Sequence, residues 1–224
     1  MKNILYIFAF IITTTAIAQN SNTVEFEKQK IKQALAYGDK TIAASSMYSI
    51  INLEGPQSSY KDSLAYLYFN ERNYVSTFLV TNDILKNKPD NVELLEMQAI
   101  SLESMGAIKK ASEAYNTLLT KTNNNYHAYK LAGLQFRLNE FDKAFSTIKK
   151  ADQLAYNGAM EITFQVNKTY NQNVDLKAAI AYLEGIIANN LKKTDEAKIS
   201  FARAIKIFPD FVLAKGELEK LETE

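Results

Sequence analysis

Small and large apolar residues recur at helical spacing along most of the chain. The clearest stretch runs from Ala99 through Gly106 and Ala111 to Tyr115, and it ends in the polar run 123–125. Apolar residues three or four positions apart lie on one face of a helix. A glycine between two such segments permits a tight turn. The pattern therefore predicts two amphipathic helices joined near Gly106.

The same pattern recurs before and after this stretch. An upstream copy begins at Leu64, turns at Asn73 and ends near Pro89, and a weaker first copy turns at Gly38. Repetition at a fixed period indicates stacked structural units, each of which buries its apolar face against its neighbours. The predicted copies span about residues 24–57, 58–91, 92–125, 126–157 and 178–211.

These copies resemble the tetratricopeptide-repeat (TPR) family, whose helix pairs repeat about every 34 residues with small residues where the helices cross. The resemblance implies an all-α fold, a right-handed TPR superhelix (α-solenoid) of about five helix-turn-helix repeats. A small residue at a crossing lets two backbones approach, and a large one fills the neighbouring hole. We therefore expect most of the repeat aromatic residues to lie in the core: Tyr68, Tyr74, Tyr115, Phe136, Phe141 and Phe201.

Residues 158–177 interrupt the repeat pattern. Met160, Phe164 and Tyr170 are spaced as in one extra helix, whereas 162–166 also alternates apolar and polar residues like a strand. We predict the helix within this irregular insert.

Residues 212–222 follow the last copy with an apolar stripe among Lys and Glu. Leu213, Leu218 and Leu221 form the stripe. A terminal repeat needs such a helix, with one apolar face inward and charges outward. We therefore predict a C-terminal cap helix.

The N-terminal residues have the pattern of an export signal. Lys2 precedes the apolar run 4–12, and small residues at Ala16 and Ala18 provide a cleavage site. A membrane anchor is the alternative, but it needs roughly 20 apolar residues. The sequence therefore predicts a signal peptide over 1–18, a mature TPR domain over 19–224 without a membrane span, and a periplasmic or secreted location.

Charge and cysteine content narrow the function classes. The chain has 26 Lys and Arg against 25 Asp and Glu, so no excess charge attracts it to nucleic acid. It has no cysteine, which excludes disulfides, thiolate metal sites and cysteine nucleophiles. We expect no cofactor and no nucleic-acid partner.

Catalytic patterns are missing from the sequence. His127 is the one histidine, and we expect it to be exposed at the start of a repeat helix. No serine lies in a Gly-x-Ser-x-Gly turn, and no glycine-rich phosphate loop occurs. Glu93, Glu96 and Glu103 share helical spacing and are predicted to form a solvated acidic face, with no metal bound. The chain is therefore predicted to be no enzyme.

The TPR resemblance implies a partner-binding surface. The first helix of each pair lines the concave side of such a superhelix, where protein or peptide partners lie. The implied groove residues are Tyr66, Phe69, Glu96, Ile100, Glu103, Lys130, Leu134, Arg137, Tyr182, Ile186 and Asn189. Some family members clamp a C-terminal carboxylate with Lys, Asn and Arg on successive first helices. Asp62 and Tyr66 stand where that clamp would begin, which argues against this kind of ligand.

Three functions remain open at this point. The first is a non-enzymatic interaction scaffold or adaptor of the cell envelope, which binds a peptide or protein segment in the concave groove. The second is an architectural subunit of an envelope complex that binds through its convex face or cap. The third, a carboxylate-dependent hydrolase, would need paired acids in dissimilar surroundings within a deep pocket.

Overall fold

The computed structural model describes residues 22–156 and 160–223 of the chain, and the predicted signal peptide lies outside them. The first helix, α1, covers residues 22–36. The remaining elements are α2 (Lys40–Glu54), α3 (Tyr60–Asn70), α4 (Tyr74–Leu85), α5 (Val92–Ser104), α6 (Ile108–Thr122), α7 (Asn125–Arg137), α8 (Phe141–Gln153), β1 (Glu161–Gln165), β2 (Asn171–Asp175), α9 (Leu176–Asn190), α10 (Thr194–Ile207) and α11 (Val212–Thr223).

The helix-turn-helix architecture predicted from the sequence is confirmed. Each odd-numbered helix from α1 to α9 packs against the helix that follows it, and the predicted cap helix, α11, packs against α10. Within each pair the chain reverses through one residue of left-handed φ. These residues are Gly38, Arg72, Gly106, Asn139 and Lys192. A left-handed residue ends a helix because it turns the next backbone groups away from the helix axis.

Polar side chains fix the first residues of several helices. Asp39 accepts a hydrogen bond from the backbone N–H of Ile42 at 3.0 Å at the start of α2, and Asn73 caps α4 in the same way. Asn124 accepts from the N–H of Tyr126 at 2.7 Å at the start of α7. These side chains replace the carbonyl acceptors that the first turn of a helix lacks.

The chain divides into two compact units, with the boundary between Asn91 and Val92. The first unit contains α1 to α4. Its core includes Ala43, Ile50 and Leu64, which are at most 1% exposed. Burial of these side chains on successive helices is what holds a repeat pair against its neighbour.

The second unit contains the remaining helix pairs, the strands and the cap helix. One close crossing brings Gly185 on α9 against the ring of Phe201 on α10. A Cβ atom added at Gly185 would lie 2.5 Å from Cε1 of Phe201, too close for any side chain. Tyr115 and Phe201, which were expected in the core, are fully buried, whereas the other four predicted aromatics are half-buried.

The helix predicted within residues 158–177 is wrong. β1 and β2 form an antiparallel pair in which Phe164 lies opposite Gln172. The ring of Phe164 packs against Tyr182 and Phe211, with centroid distances of 5.5 and 5.1 Å. Alternate residues of β1 are exposed, as the two-residue period of a strand requires. The apolar residues of this insert therefore pack as one face of a hairpin.

A candidate binding groove on the second unit

The residues predicted to line a groove lie on the first helices of four pairs, and the structure divides them between the two units. Tyr66 and Phe69 lie on α3 in the first unit, and the others lie on α5, α7 and α9 in the second. Arg137 is exposed and Leu134 is buried at 1% exposure. The half-buried residues are Tyr66, Phe69, Glu96, Ile100, Glu103, Lys130, Tyr182, Ile186 and Asn189.

Several of these side chains make packing contacts. Leu134 has almost no accessible surface, so it is mainly a core residue. Tyr182 packs against Phe201 and Phe211 with centroid distances of 5.8 and 5.0 Å. Phe69 packs edge-on against Tyr74 at 6.4 Å. Aromatic pairs at these separations are stabilising, so Tyr182 and Phe69 hold neighbouring elements together.

Lys130 on α7 and Glu103 on α5 form an ion pair between two first helices. The Nζ atom donates to Oε1 at 2.7 Å, and both side chains are about a quarter exposed. The structure brings these two opposite charges together. Each therefore neutralises the other at this point of the surface.

His127 is buried, with 3% of its surface exposed, so the expectation that it would be exposed is wrong. Its Nδ1 atom lies 2.8 Å from Oγ1 of Thr122, and its Nε2 atom lies 3.6 Å from Oε1 of Glu96. The ring also packs beside Tyr115 and Tyr126. The histidine therefore joins the end of α6 to α5 and α7.

The predicted solvated acidic face holds for Glu93 alone, which is exposed. Glu96 and Glu103 are half-buried and point toward partners on α7. The ring of His127, 3.6 Å from the carboxylate, lowers the pKa of Glu96 against the opposing effect of burial. Glu96 is therefore held in its charged form at neutral pH.

The hairpin and the first helices of the second unit line an open cavity of about 460 Å³. Glu96 from α5 and three residues of α7 form one wall, and the segment from Met160 to Thr163 forms the other. Small-molecule and peptide sites have volumes in this range. The three residues of α7 are Tyr126, Tyr129 and Lys130, and the hairpin wall includes Glu161 and Ile162.

A second cavity of about 170 Å³ adjoins the first, since Tyr129 and Lys130 line both. Its other walls come from α5, α7 and α9, and they include Gly133. We call the surface of the two cavities the tyrosine groove. The residues of the second cavity are Glu103, Tyr129, Lys130, Gly133, Leu134, Arg137 and Leu183.

The phenols of the tyrosine groove stay protonated at neutral pH. Burial and the nearby carboxylates of Glu103 and Glu96 raise the pKa of Tyr126. Burial, with smaller contributions from neighbouring tyrosines and Glu103, raises the pKa of Tyr129. Neutral phenols can donate hydrogen bonds and also offer apolar ring faces. The groove thus combines aromatic surface, carboxylates and hydrogen-bond donors.

The first unit has a separate cavity of about 510 Å³ between α2 and α3. Tyr48 and Tyr68 line it, and the hydroxyl of Tyr68 donates to that of Tyr48 at 3.2 Å. Burial and this hydrogen bond raise the pKa of Tyr68 to about 12. None of the predicted groove residues lines this cavity.

Sequence reasoning missed more than half of the residues that line the tyrosine groove. Tyr126, Tyr129 and Gly133 follow the spacing of one helix face with Lys130, and that spacing could have identified them. The hairpin wall, Met160 to Thr163, was missed because its apolar alternation was interpreted as helical. Nothing in the sequence around Leu183 distinguishes it from a leucine of the core.

The part of the chain that the structure describes contains neither a metal-binding cluster nor a membrane-spanning helix. No group of three or more His, Asp or Glu side chains there is arranged to hold a metal ion. Among the same residues, no helix is both long enough and apolar enough to cross a membrane.

The fold matches solved TPR proteins. YrrB, described as a TPR protein with an unusual peptide-binding site, is 15% identical, with a TM-score of 0.66 over 92% of this chain and 97% of that one. A tetratricopeptide repeat protein from Parabacteroides merdae is 17% identical, with a TM-score of 0.63 over 89% and 72%. MamA from Desulfovibrio magneticus is 11% identical, with a TM-score of 0.61 over 85% and 97%. No protein-family model and no curated protein match the sequence.

Proposed function

We propose that this chain, which has the TPR fold, is a non-enzymatic interaction scaffold that binds a peptide or protein segment in the tyrosine groove. The observation that carries the proposal is the pair of adjoining cavities on α5, α7 and α9. Solvent-accessible concave surface with aromatic walls and a few charged groups is typical of a binding site.

The electrostatics of the groove favour binding over catalysis. Glu103 is paired with Lys130 at 2.7 Å, and Glu96 lies beside His127. A carboxylate-dependent hydrolase needs one acid kept protonated and another kept ionised. The lowered pKa of Glu96 places it with the ionised groups. The carboxylates of the described groove are therefore not arranged as the protonated and ionised pair that such a hydrolase needs.

The cell envelope is the proposed location. This part of the proposal rests on residues 1–18, whose charged start, apolar run and small-residue cleavage site have the pattern of an export signal. Mass spectrometry of the native protein tests it. A mature chain that begins at Gln19 is the expected result, and a retained Met1 would contradict export by cleavage.

A blocking substitution tests the groove. Peptides of about twelve residues are selected from a random phage library on the mature chain, and the tightest is synthesised for fluorescence anisotropy. Gly133→Gln places a side chain in the smaller cavity, where an added Cβ atom makes only an ordinary contact of 3.9 Å with Leu183. We expect the dissociation constant to rise by about ten-fold or more.

Two variants serve as controls for the blocking test. Gly216→Gln makes the same change on α11, where nothing lies within 4 Å of an added Cβ atom. Tyr48→Ala alters the cavity of the first unit. Both should bind the peptide as the native protein does. Equal affinity of the native and Gly133→Gln proteins for every selected peptide would contradict the proposed function.

A further inference from the structure

The register of the hairpin determines which backbone groups of β1 remain available. Leu176 donates to the carbonyl of Met160 at 2.8 Å, and Val166 donates to the carbonyl of Tyr170 at 3.0 Å. In an antiparallel pair, the residues that exchange hydrogen bonds alternate with residues that do not. Residues 162 and 164 therefore bond to β2, and the N–H and C=O groups of 161, 163 and 165 point to the opposite edge.

This opposite edge of β1 is unpaired in the described part of the chain. The two strands form the whole sheet there. No other described backbone or side-chain group bonds to the N–H of Glu161, Thr163 or Gln165. An unpaired edge is a template for another strand.

The free edge of β1 borders the tyrosine groove. Four consecutive residues, from Met160 to Thr163, line the larger cavity, and no residue of β2 does. The cavity therefore lies beside the edge of the hairpin, with α5 and α7 on its far side. An extended segment in this cavity would contact both the strand edge and the rings of Tyr126 and Tyr129.

The charges that line the larger cavity favour a cationic side chain. Glu96 and Glu161 contribute two carboxylates, whereas the charge of Lys130 is already paired with Glu103. Glu161 is exposed and forms no ion pair with the described residues. The faces of the tyrosine rings also attract a cation. Lysine or arginine fits this combination.

We infer that the tyrosine groove binds an extended segment of another protein, which adds to the free edge of β1 as a third strand and places a Lys or Arg side chain between Glu161 and Glu96. The inference rests on the proposed function and specifies its ligand. Strand addition supplies main-chain hydrogen bonds for affinity, and the side-chain cavity supplies specificity.

Proline substitution at the edge tests strand addition. Thr163→Pro removes an N–H that faces away from β2, a position where edge strands tolerate proline. Thr163→Val is the matched control, since both variants lose the hydrogen bond from Thr163 to Asn173 at 2.8 Å. For the selected peptide, we expect binding about ten-fold weaker with Thr163→Pro and within about two-fold of native with Thr163→Val. Circular dichroism verifies that both variants fold.

Changes in the peptide give a second measurement. N-methylation of each peptide amide in turn should block binding at every second position, because alternate amides face β1. Replacing the basic residue of the peptide with norleucine should weaken its binding to the native protein about five-fold. The same replacement should weaken binding to the Glu161→Gln variant much less. Uniform tolerance of N-methylation, or an equal loss with Glu161→Gln, would overturn the inference.

The outcomes separate the inference from the function on which it rests. Weakening by Gly133→Gln without an effect of Thr163→Pro would retain the groove and reject strand addition. No effect of either variant would reject both. Sedimentation velocity tests whether a second copy of this chain occupies the groove. A dimer that dissociates with Thr163→Pro would mean that β1 pairs with β1 of another molecule. This result would also overturn the inference.

Discussion

The side chain of Gln172 caps the first turn of α11, since its Oε1 atom accepts a hydrogen bond from the backbone N–H of Val212 at 3.1 Å. Its Nε2 atom also donates to the carbonyl of Asp210 at 2.6 Å. One buried amide on β2 thus satisfies a donor that the first turn of a helix leaves free. The hairpin that borders the groove is in this way attached to the C-terminal cap helix.

Gln172→Ala should therefore destabilise the second unit. The change removes both hydrogen bonds from a side chain that is 6% exposed. We expect the free energy of unfolding to fall by about 1 to 3 kcal/mol, measured by urea denaturation. Asn171→Ala, at an exposed neighbouring position, should stay within about 0.5 kcal/mol. Equal stability of the two variants would contradict the capping role of Gln172.

Gly185 and Gly216 form a matched pair of helix glycines with opposite predicted effects. Gly185→Ala places a Cβ atom 2.5 Å from the buried ring of Phe201, so the ring or the two helices must shift, at a cost of about 1 to 3 kcal/mol. Gly216→Ala meets nothing within 4 Å. It should stabilise α11 by about 0.5 to 1 kcal/mol, because alanine favours the helix. Thermal unfolding of both variants measures the difference, and a shift of the same sign would show that the α9–α10 crossing is not close-packed.

The helix pairs were predictable because each core residue carries a local signal. Ala111 and Tyr115 lie at the spacing of one helix face, and both are fully buried. Gly106 has a left-handed φ of 76°, as its position between two helices suggested. At these positions the local sequence and the tertiary packing favour the same conformation.

The groove was less predictable because it depends on contacts between distant segments. His127 has the local pattern of an exposed N-terminal helix residue, yet Thr122 and Glu96 surround it. The apolar residues of β1 fit a helix and a strand almost equally by spacing alone. Packing of Phe164 against Phe211 on the α10–α11 connection favours the strand, and sequence spacing does not reveal that contact.

Arg203 connects three helices of the second unit. Its guanidinium donates to Asp152 on α8 at 2.6 Å and to Glu184 on α9 at 2.5 Å. Glu184 is 8% exposed, so Arg203→Met would leave a buried charge unpaired. We expect a loss of about 2 to 3 kcal/mol, somewhat below the cost at a fully buried pair because Arg203 is partly solvated.

Two further variants identify the cause of that loss. Adding Glu184→Gln to Arg203→Met removes the unpaired charge and should recover part of the stability. Lys220→Met removes an exposed pair with Glu217, and such pairs contribute at most about 1 kcal/mol. A double variant as unstable as the sum of its single changes would show that the charge of Glu184 is not the cause.

The contact between Glu96 and His127 predicts a pH dependence of stability. This contact lowers the pKa of Glu96 in the folded protein below its ordinary value of 4.5. A lowered pKa means that the folded state favours the ionised carboxylate. The stabilisation is therefore present above the ordinary pKa and is lost as the pH falls through the lowered one.

Glu96→Gln measures this contribution. Urea unfolding of the native protein and the variant should differ most above the ordinary pKa of glutamate, and the difference should shrink as the pH falls through the lowered pKa of Glu96. Glu93→Gln, on the same helix but exposed, should match the native protein throughout. Thr122 and the rings of Tyr115 and Tyr126 also face His127, and none of them titrates in the acid range. A difference that grows on acidification would mean that the folded state stabilises the protonated form of Glu96. The groove would then lack this ionised carboxylate as a partner for a cationic side chain.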